Sequence, residues 1–347
     1  MKRLVTIFSI MATLVLFVAC GGPKPATGEQ KKTEEQKPVT TTEAKKSIAI
    51  VYSTGGKGDK SFNDAAFRGL EQAQKELGIT FKEYEPKDAT AEAKDALTQF
   101  AETGEFEVII GVGFTMKDSV TAVAEAFPDQ KFAIIDEEVN LPNVVSLKFK
   151  EHEGSFLVGS LAAMMSKTGT IGFVGAIESP VIQKFHAGYE QGAKYVNPNI
   201  KIVSVYLGGA NAFNDPASAK TKTETLIQQK ADVVYHAAGA SGAGVFQAAK
   251  EKNVYAIGVD SNQDSIVPGL ILTSMMKYVD VAVFDTVKAA LDGKFESKVQ
   301  ELGIKENGVG TTDFEFTKDK IGEENIKKLE QIKQEIKDGK VVVKPTL

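Results

Sequence analysis

One cysteine, Cys20, stands in a chain of 347 residues. No disulfide can therefore close within the chain, and no cysteine-based metal site can form. Tryptophan is absent, and histidine occurs only at positions 152, 186 and 236. His152, His186 and His236 show no metal-ligand spacing. No Gly-x-Ser-x-Gly elbow is present, so no nucleophilic triad can be argued. No Gly-Lys-Ser or Gly-Lys-Thr phosphate loop occurs either. The charge balance lacks a basic excess: 41 Lys and Arg face 46 Asp and Glu, for a formal net charge of −5. That gives no reason to expect nucleic acid as a partner.

What is present begins with a secretory pattern. Lys2 and Arg3 precede an uncharged, largely apolar run from Leu4 to Ala19, and Cys20 follows. A run this short with these flanks reads as a signal peptide over residues 1–19, not as a membrane span. Phe17-Val18-Ala19-Cys20 resembles a lipobox, which implies that Cys20 is lipidated and becomes the mature N-terminus. Residues 20–46 are rich in Lys, Glu, Thr, Pro and Gly, with Val39 the only sizeable aliphatic side chain. Such a segment cannot bury enough apolar surface to fold and is expected to be a flexible tether.

From residue 47 on, short β-branched runs alternate with helical patterns. Strands are expected at 47–53, 79–84, 107–111, 132–135, 144–148, 170–174, 201–206, 232–235, 254–258 and 271–275. Helices are expected at 61–77, 89–103, 116–126, 151–167, 180–196, 215–229, 242–251, 278–291 and 319–338. This alternation predicts an α/β fold with parallel sheets covered on both faces. The elements exceed one compact sheet, and the opening Ile48–Ser53 is echoed at Thr170–Gly175. Two similar lobes are expected: residues 47–149 with about 261–292, and residues 150–260 with about 293–347. Val341-Val342-Val343-Lys344-Pro345 reads as a final edge strand blunted by its proline.

The segment at the first turn carries the chemistry. The strand Ile48–Tyr52 gives way to the loop Ser53-Thr54-Gly55-Gly56-Lys57 and then to Gly58-Asp59-Lys60-Ser61-Phe62-Asn63-Asp64. Ser61 with Asp64 reads as a capping-box variant opening a helix. Ligands gather at this edge of an open parallel sheet, where free backbone N–H groups converge. Phe62, a large ring at an exposed turn beside Asn63, needs something to cover it. Phe213, just before Asp215-Pro216, is a second aromatic displayed ahead of a helix. By itself a phenylalanine at a loop end is more often core than clamp.

Other strand ends are also polar or glycine-rich. Gly111-Val112-Gly113-Phe114 is either a ligand approach or an ordinary turn. Gly239-Ala240-Ser241-Gly242-Ala243-Gly244 lacks a cleanly placed acidic partner for a dinucleotide ribose and reads as a loop hugging a base or ribose. Asp260 ends the strand Ile257-Gly258-Val259 and can accept hydrogen bonds from vicinal hydroxyls, or else merely cap a turn. Lys277 is expected nearby, keeping that carboxylate ionised. Asp136 also ends a strand and is expected to line the cleft.

The Asp59-Lys60-Ser61-Phe62-Asn63 block resembles the basic membrane protein family of bacterial lipoproteins, substrate-binding proteins for purine nucleosides. Further matches are Glu151-His152-Glu153-Gly154-Ser155-Phe156-Leu157 and Phe185-His186-Ala187-Gly188-Tyr189-Glu190. The resemblance runs from Ile48 to Pro345. It implies a type I periplasmic-binding-protein fold: two Rossmann-like lobes joined by a hinge, with three crossovers. It also implies a purine stacked between Phe62 and Phe213, a ribose held by Asp260 and Lys277, and no cofactor. The implied ligands are adenosine, guanosine or inosine, and the implied partners are the permease and ATPase of an ABC importer. An extracytoplasmic location on the cell membrane, through the lipid on Cys20, goes with that role. The rival classes are a binder of another small ligand such as a sugar, a nucleoside-cleaving enzyme, and a surface adhesin. An adhesin would leave the exposed aromatics unexplained. A nucleoside hydrolase would want a tight aspartate run near the first strand. Asp59 and Asp64 do not supply one.

Overall fold

The computed structural model describes residues 47–347. The expected signal peptide, Cys20 and the expected tether lie outside the described residues. No described helix is long and apolar enough to cross a membrane.

The first sheet is built from β1 (Ser47–Val51), β2 (Thr80–Tyr84), β3 (Phe106–Val112), β4 (Lys131–Ile135) and β5 (Val144–Phe149). The second holds β6 (Thr170–Gly175), β7 (Lys201–Tyr206), β8 (Val233–Ala237), β9 (Tyr255–Asp260) and β10 (Ile271–Lys277). Two short late strands complete them: β11 (Val299–Leu302) joins the first and β12 (Val309–Thr311) the second. Each sheet has six strands, in the orders β11-β5-β4-β3-β1-β2 and β12-β10-β9-β8-β6-β7. The same pattern is thus laid down twice. Strand pairs are parallel except β10 with β12.

Helices α1 (Phe62–Leu77), α2 (Ala89–Thr103) and α3 (Lys117–Ala126) cover the first sheet. Helices α4 (Glu151–Met165), α5 (Pro180–Val196), α6 (Pro216–Gln228) and α7 (Gly242–Lys252) belong to the second lobe. Two-sided burial explains the unbroken apolar strands. Ile48 and Ile50 pack with Leu70 of α1, while Ala49 and Val51 pack with Leu97 of α2 and Val120 of α3. Successive side chains on a strand point to opposite faces, so both must be apolar when both are covered. In the second lobe α4 and α5 approach closely: a Cβ on Gly192 would stand 2.0 Å from the Phe156 carbonyl oxygen.

Two expected boundaries change. The return to the first lobe does not come near residue 261, because β10 pairs with β9 inside the second sheet. It comes at α8 (Val279–Leu291), which packs on α1. Residues 293–347 are likewise not all second-lobe, since β11 pairs with β5 of the first sheet. Hydrophobic period identifies a strand but not the sheet it joins, and Val299-Gln300-Glu301-Leu302 has no apolar run to mark it. The chain therefore passes between lobes between β5 and α4, between β10 and α8, and between β11 and β12.

The tail differs too. The helix expected over 319–338 is broken into α9 (Lys318–Ile321) and α10 (Glu323–Lys337) by Gly322, with φ 81° and ψ 150°. Only glycine takes that conformation freely. No strand forms at 341–345. The Gln191 side chain of α5 instead bonds both the N–H and the carbonyl of Lys344, and Val343 is buried.

Candidate functional site

The Ser61–Asp64 capping box does not form; a residue ahead of it does the work. The Asp59 carboxylate accepts the N–H groups of Ser61 at 2.8 Å, Asn63 at 2.9 Å and Asp64 at 3.1 Å. These are the donors that a helix start leaves without partners. Burial pushes the Asp59 carboxyl up, against the pull of those three N–H groups. Asp64 turns back to accept from the N–H groups of Gly58 at 2.7 Å and Lys60 at 2.9 Å. Asn63 is buried and ties the next loop, its amide oxygen taking both the N–H and the hydroxyl of Ser53 at 3.0 Å. With its neighbours fixed this way, Phe62 stands half-buried at the head of α1.

The Ser61 hydroxyl, freed from capping, donates to Asp260 Oδ2 at 2.5 Å. That bond runs from the first lobe to the second. Asp136 and Asp260 occupy matching places, at the ends of β4 and β9, and both take left-handed backbone, with φ 71° and 63°. Aspartate tolerates that region better than most residues.

Between the lobes lies a space of about 710 Å³, part of it open to solvent. Ligand pockets commonly fall in this range. Phe62, Asn63 and Asp136 from the first lobe and Phe213, Gly239, Asp260 and Lys277 from the second all line it. Phe213 is set by Asp215, whose carboxylate accepts the Ser218 N–H at 2.9 Å, and by Pro216 at the first position of α6. Gly239 has φ 55°, and a Cβ there would come 3.5 Å from the Phe213 ring. Gly113 has φ 103° and sits beside Ser53 and Phe62.

Lys277 is 1% exposed, with its ammonium 2.6 Å from Asp136 and 3.0 Å from Glu151. The rings of Phe62, Phe149 and Phe185 surround it, with centroids 4.8, 5.1 and 5.5 Å away. Lys184 reaches the other oxygen of Glu151 at 3.1 Å. Buried charges survive in this form, paired and ringed by weak acceptors. Burial is the largest influence on Asp136 and pushes its carboxyl up despite Lys277. Burial also opposes the Glu151 charge, but Lys277 and Lys184 together hold that carboxyl below its usual range.

Asp260 corrects an expectation. Lys277 does not hold it in the ordinary carboxylate range, since that ammonium lies against Asp136 and Glu151. Burial wins at Asp260 and lifts its carboxyl to about 7, with Lys277 and the Ser61 hydroxyl opposing. The site therefore offers a proton-sharing carboxyl group, a buried ammonium, and aromatic faces from both lobes.

The cavity also holds residues that sequence reasoning did not mark as site residues: Thr54, Asp59, Thr115, Val181, Ile182 and Phe185. Val181, Ile182 and Phe185 sit in the first turns of α5, where an apolar period reads as core. The signal available for them was position: Ser179-Pro180 starts that helix directly after β6, at the carboxyl edge of the sheet.

This architecture matches solved structures. An ABC transporter solute-binding protein of Aeropyrum pernix K1 superposes with a TM-score of 0.79 at 31% identity, over 86% of this chain and 93% of that one. A solute-binding protein of an ABC transporter system from Conexibacter woesei shares the fold, with a TM-score of 0.70 at 20% identity, over 86% and 98% of the two chains. Among curated proteins, the ABC transporter nucleoside-binding protein BmpA of Lactococcus lactis is 31% identical over 363 residues, 99% of each chain. An uncharacterized lipoprotein of Pyrococcus abyssi is 36% identical over 334 residues, 92% of this chain and 79% of its own. Basic membrane protein A of Borreliella burgdorferi is 35% identical over 260 residues, 73% of this chain and 75% of its own. The family model for PnrA-like ABC transporter substrate-binding proteins matches residues 45–346, both lobes and the cleft included. The chain belongs to this family, the Bmp substrate-binding proteins of ABC transporters.

Proposed function

We propose that the cleft captures a purine nucleoside and hands it, intact, to an ABC importer. One observation carries the reading: two half-buried phenylalanines, Phe62 and Phe213, come from opposite lobes to one cavity that also holds Asp260. A flat base fits between aromatic faces, and stacking contributes on the order of 1–3 kcal/mol per base. Asp260 Oδ2 is taken by Ser61, which leaves Oδ1 to accept from the ribose hydroxyls. Lys277 lines the same cavity, and the ammonium hydrogen left over from Asp136 and Glu151 donates to a ribose oxygen. Lys277 and Asp136 also link the two lobes there.

The remaining parts of the role lie with other molecules. A permease and an ATPase move the ligand across the membrane, and a lipid on Cys20 holds the binder at the extracytoplasmic face. The name of the Lactococcus relative supports a nucleoside ligand. Mass spectrometry of small molecules released from the purified protein tests the reading. Recovery of an intact purine nucleoside supports it; recovery of a free sugar, or turnover of added nucleoside to base and ribose, contradicts it.

A further inference from the structure

The loop Asp59–Ser61 belongs to the first lobe, and the segment Asp260–Gln263, which follows β9, belongs to the second. Neither is one of the three places where the chain crosses between lobes. Contacts between them therefore join the two lobes through side chains and not through the chain itself, and they are numerous and buried. Gln263 donates from Nε2 to the Lys60 carbonyl at 3.0 Å, and Ser261 donates from Oγ to the Ser61 carbonyl at 2.7 Å. Arg68 of α1 donates to Ser261 Oγ at 3.1 Å. Gln263 is 2% exposed, and its direction is set from within its own lobe. Its Oε1 accepts the Val259 N–H at 2.8 Å and lies 3.2 Å from His236 Nε2. An oxygen pinned by a backbone N–H forces the amide nitrogen to face the other lobe.

We propose that Gln263 and Ser261 are positioning residues that clasp the Phe62 loop against Asp260 across the closed cleft. They set how long a ligand stays, not which ligand is chosen. This inference rests on the cleft-binding reading above. The clasp bonds hold one lobe against the other, so losing one lowers the population of this arrangement and speeds opening. Neither side chain needs to touch the ligand for this to happen.

Gln263→Glu is the discriminating variant. The glutamate still accepts from Val259 N–H and from His236, and in its ionised form, favoured by working at high pH, it cannot donate to Lys60. Stopped-flow measurements on the full chain with adenosine, guanosine and inosine should show dissociation faster by about 3- to 10-fold, the range of one lost hydrogen bond. Association rates and the ranking of the three nucleosides should stay as in the wild type. Without ligand, hydrogen exchange should quicken in peptides spanning 57–66 and 259–266 and not in β3 or α3. A variant that merely loosened the fold would quicken exchange everywhere. If Gln263→Glu does not fold, Ser261→Ala is put through the same measurements, with the same result expected. Unchanged dissociation and unchanged local exchange would overturn the clasp, as would a loss confined to association or to the ranking. If the wild type binds none of the three nucleosides, the functional reading fails. The ligand-free exchange comparison then decides the clasp alone: quickening at both segments sustains it and no change overturns it.

Discussion

The Ser61 hydroxyl sits 2.5 Å from the Asp260 carboxylate, although the two residues are 199 positions apart and belong to different lobes. Ser61 is available for this because Asp59, two residues earlier, caps the helix in its place. A local choice about who caps α1 thus connects to the geometry of the cleft.

The first prediction follows from the protonation of Asp260. Its carboxyl is lifted from 3.8 to about 7 by burial. Between those values the folded protein keeps a proton that the unfolded chain has released. Stability from this group is therefore full below about pH 4 and is lost as pH rises through 7. Asp260→Asn should flatten that part of the profile. Thermal melts of ligand-free wild type and variant between pH 4 and 8 provide the check; parallel curves would contradict it.

Lys277 should be far more sensitive than its neighbours in the cavity. Lys277→Met leaves Asp136 and Glu151 buried without their shared ammonium. Breaking a buried pair on one side costs about 3–5 kcal/mol. Denaturant unfolding should show a loss of that size, where Phe62→Ala should show little. A fully stable Lys277→Met would contradict the reading of Lys277 as the shared counter-charge of Asp136 and Glu151.

The contact between α4 and α5 gives a prediction about packing. A Cβ at position 192 would meet the Phe156 carbonyl oxygen, a backbone atom that cannot rotate away. Gly192→Ala should destabilise the protein by about 1–3 kcal/mol through overpacking. Nucleoside affinity should also fall, because α4 starts at Glu151 and α5 carries Phe185. An unchanged melting temperature would rule this out.

Anchoring is tested at Cys20. Acyl chains supply membrane affinity, so Cys20→Ser should leave the chain in the soluble or unprocessed fraction. A variant that is cleaved and still sediments with membranes would rule out the lipid anchor.

Phe62, Phe213 and Asp260 could be found in the sequence because each breaks a local rule. Two are large rings at polar strand-to-helix turns, and the third is an acid at the end of an apolar strand. Glu151 and Phe185 could not, because each lies in a helical block whose period explains it without function. The pairing of Lys277 with Asp136 and Glu151, in place of Asp260, needed the positions of both lobes at once. β11 was missed because four residues, two of them polar, do not stand out at a sheet edge. The two-lobe plan was legible from alternation and from the echo of β1 in β6. The points at which the chain crosses between lobes were not, since no residue pattern encodes which sheet a strand completes.

The central claim is that Phe62 and Asp260 hold different parts of one purine nucleoside. Isothermal titration of adenosine, guanosine, inosine and the corresponding free bases into wild type, Phe62→Ala and Asp260→Ala tests it most directly. One site per chain is expected in the wild type. Phe62→Ala should weaken nucleoside and base alike by about 1–3 kcal/mol. Asp260→Ala should weaken the nucleoside by a similar or larger amount and erase its advantage over the base, because the ribose hydroxyls lose their acceptor. Undiminished nucleoside affinity in both variants would contradict the placement of the site.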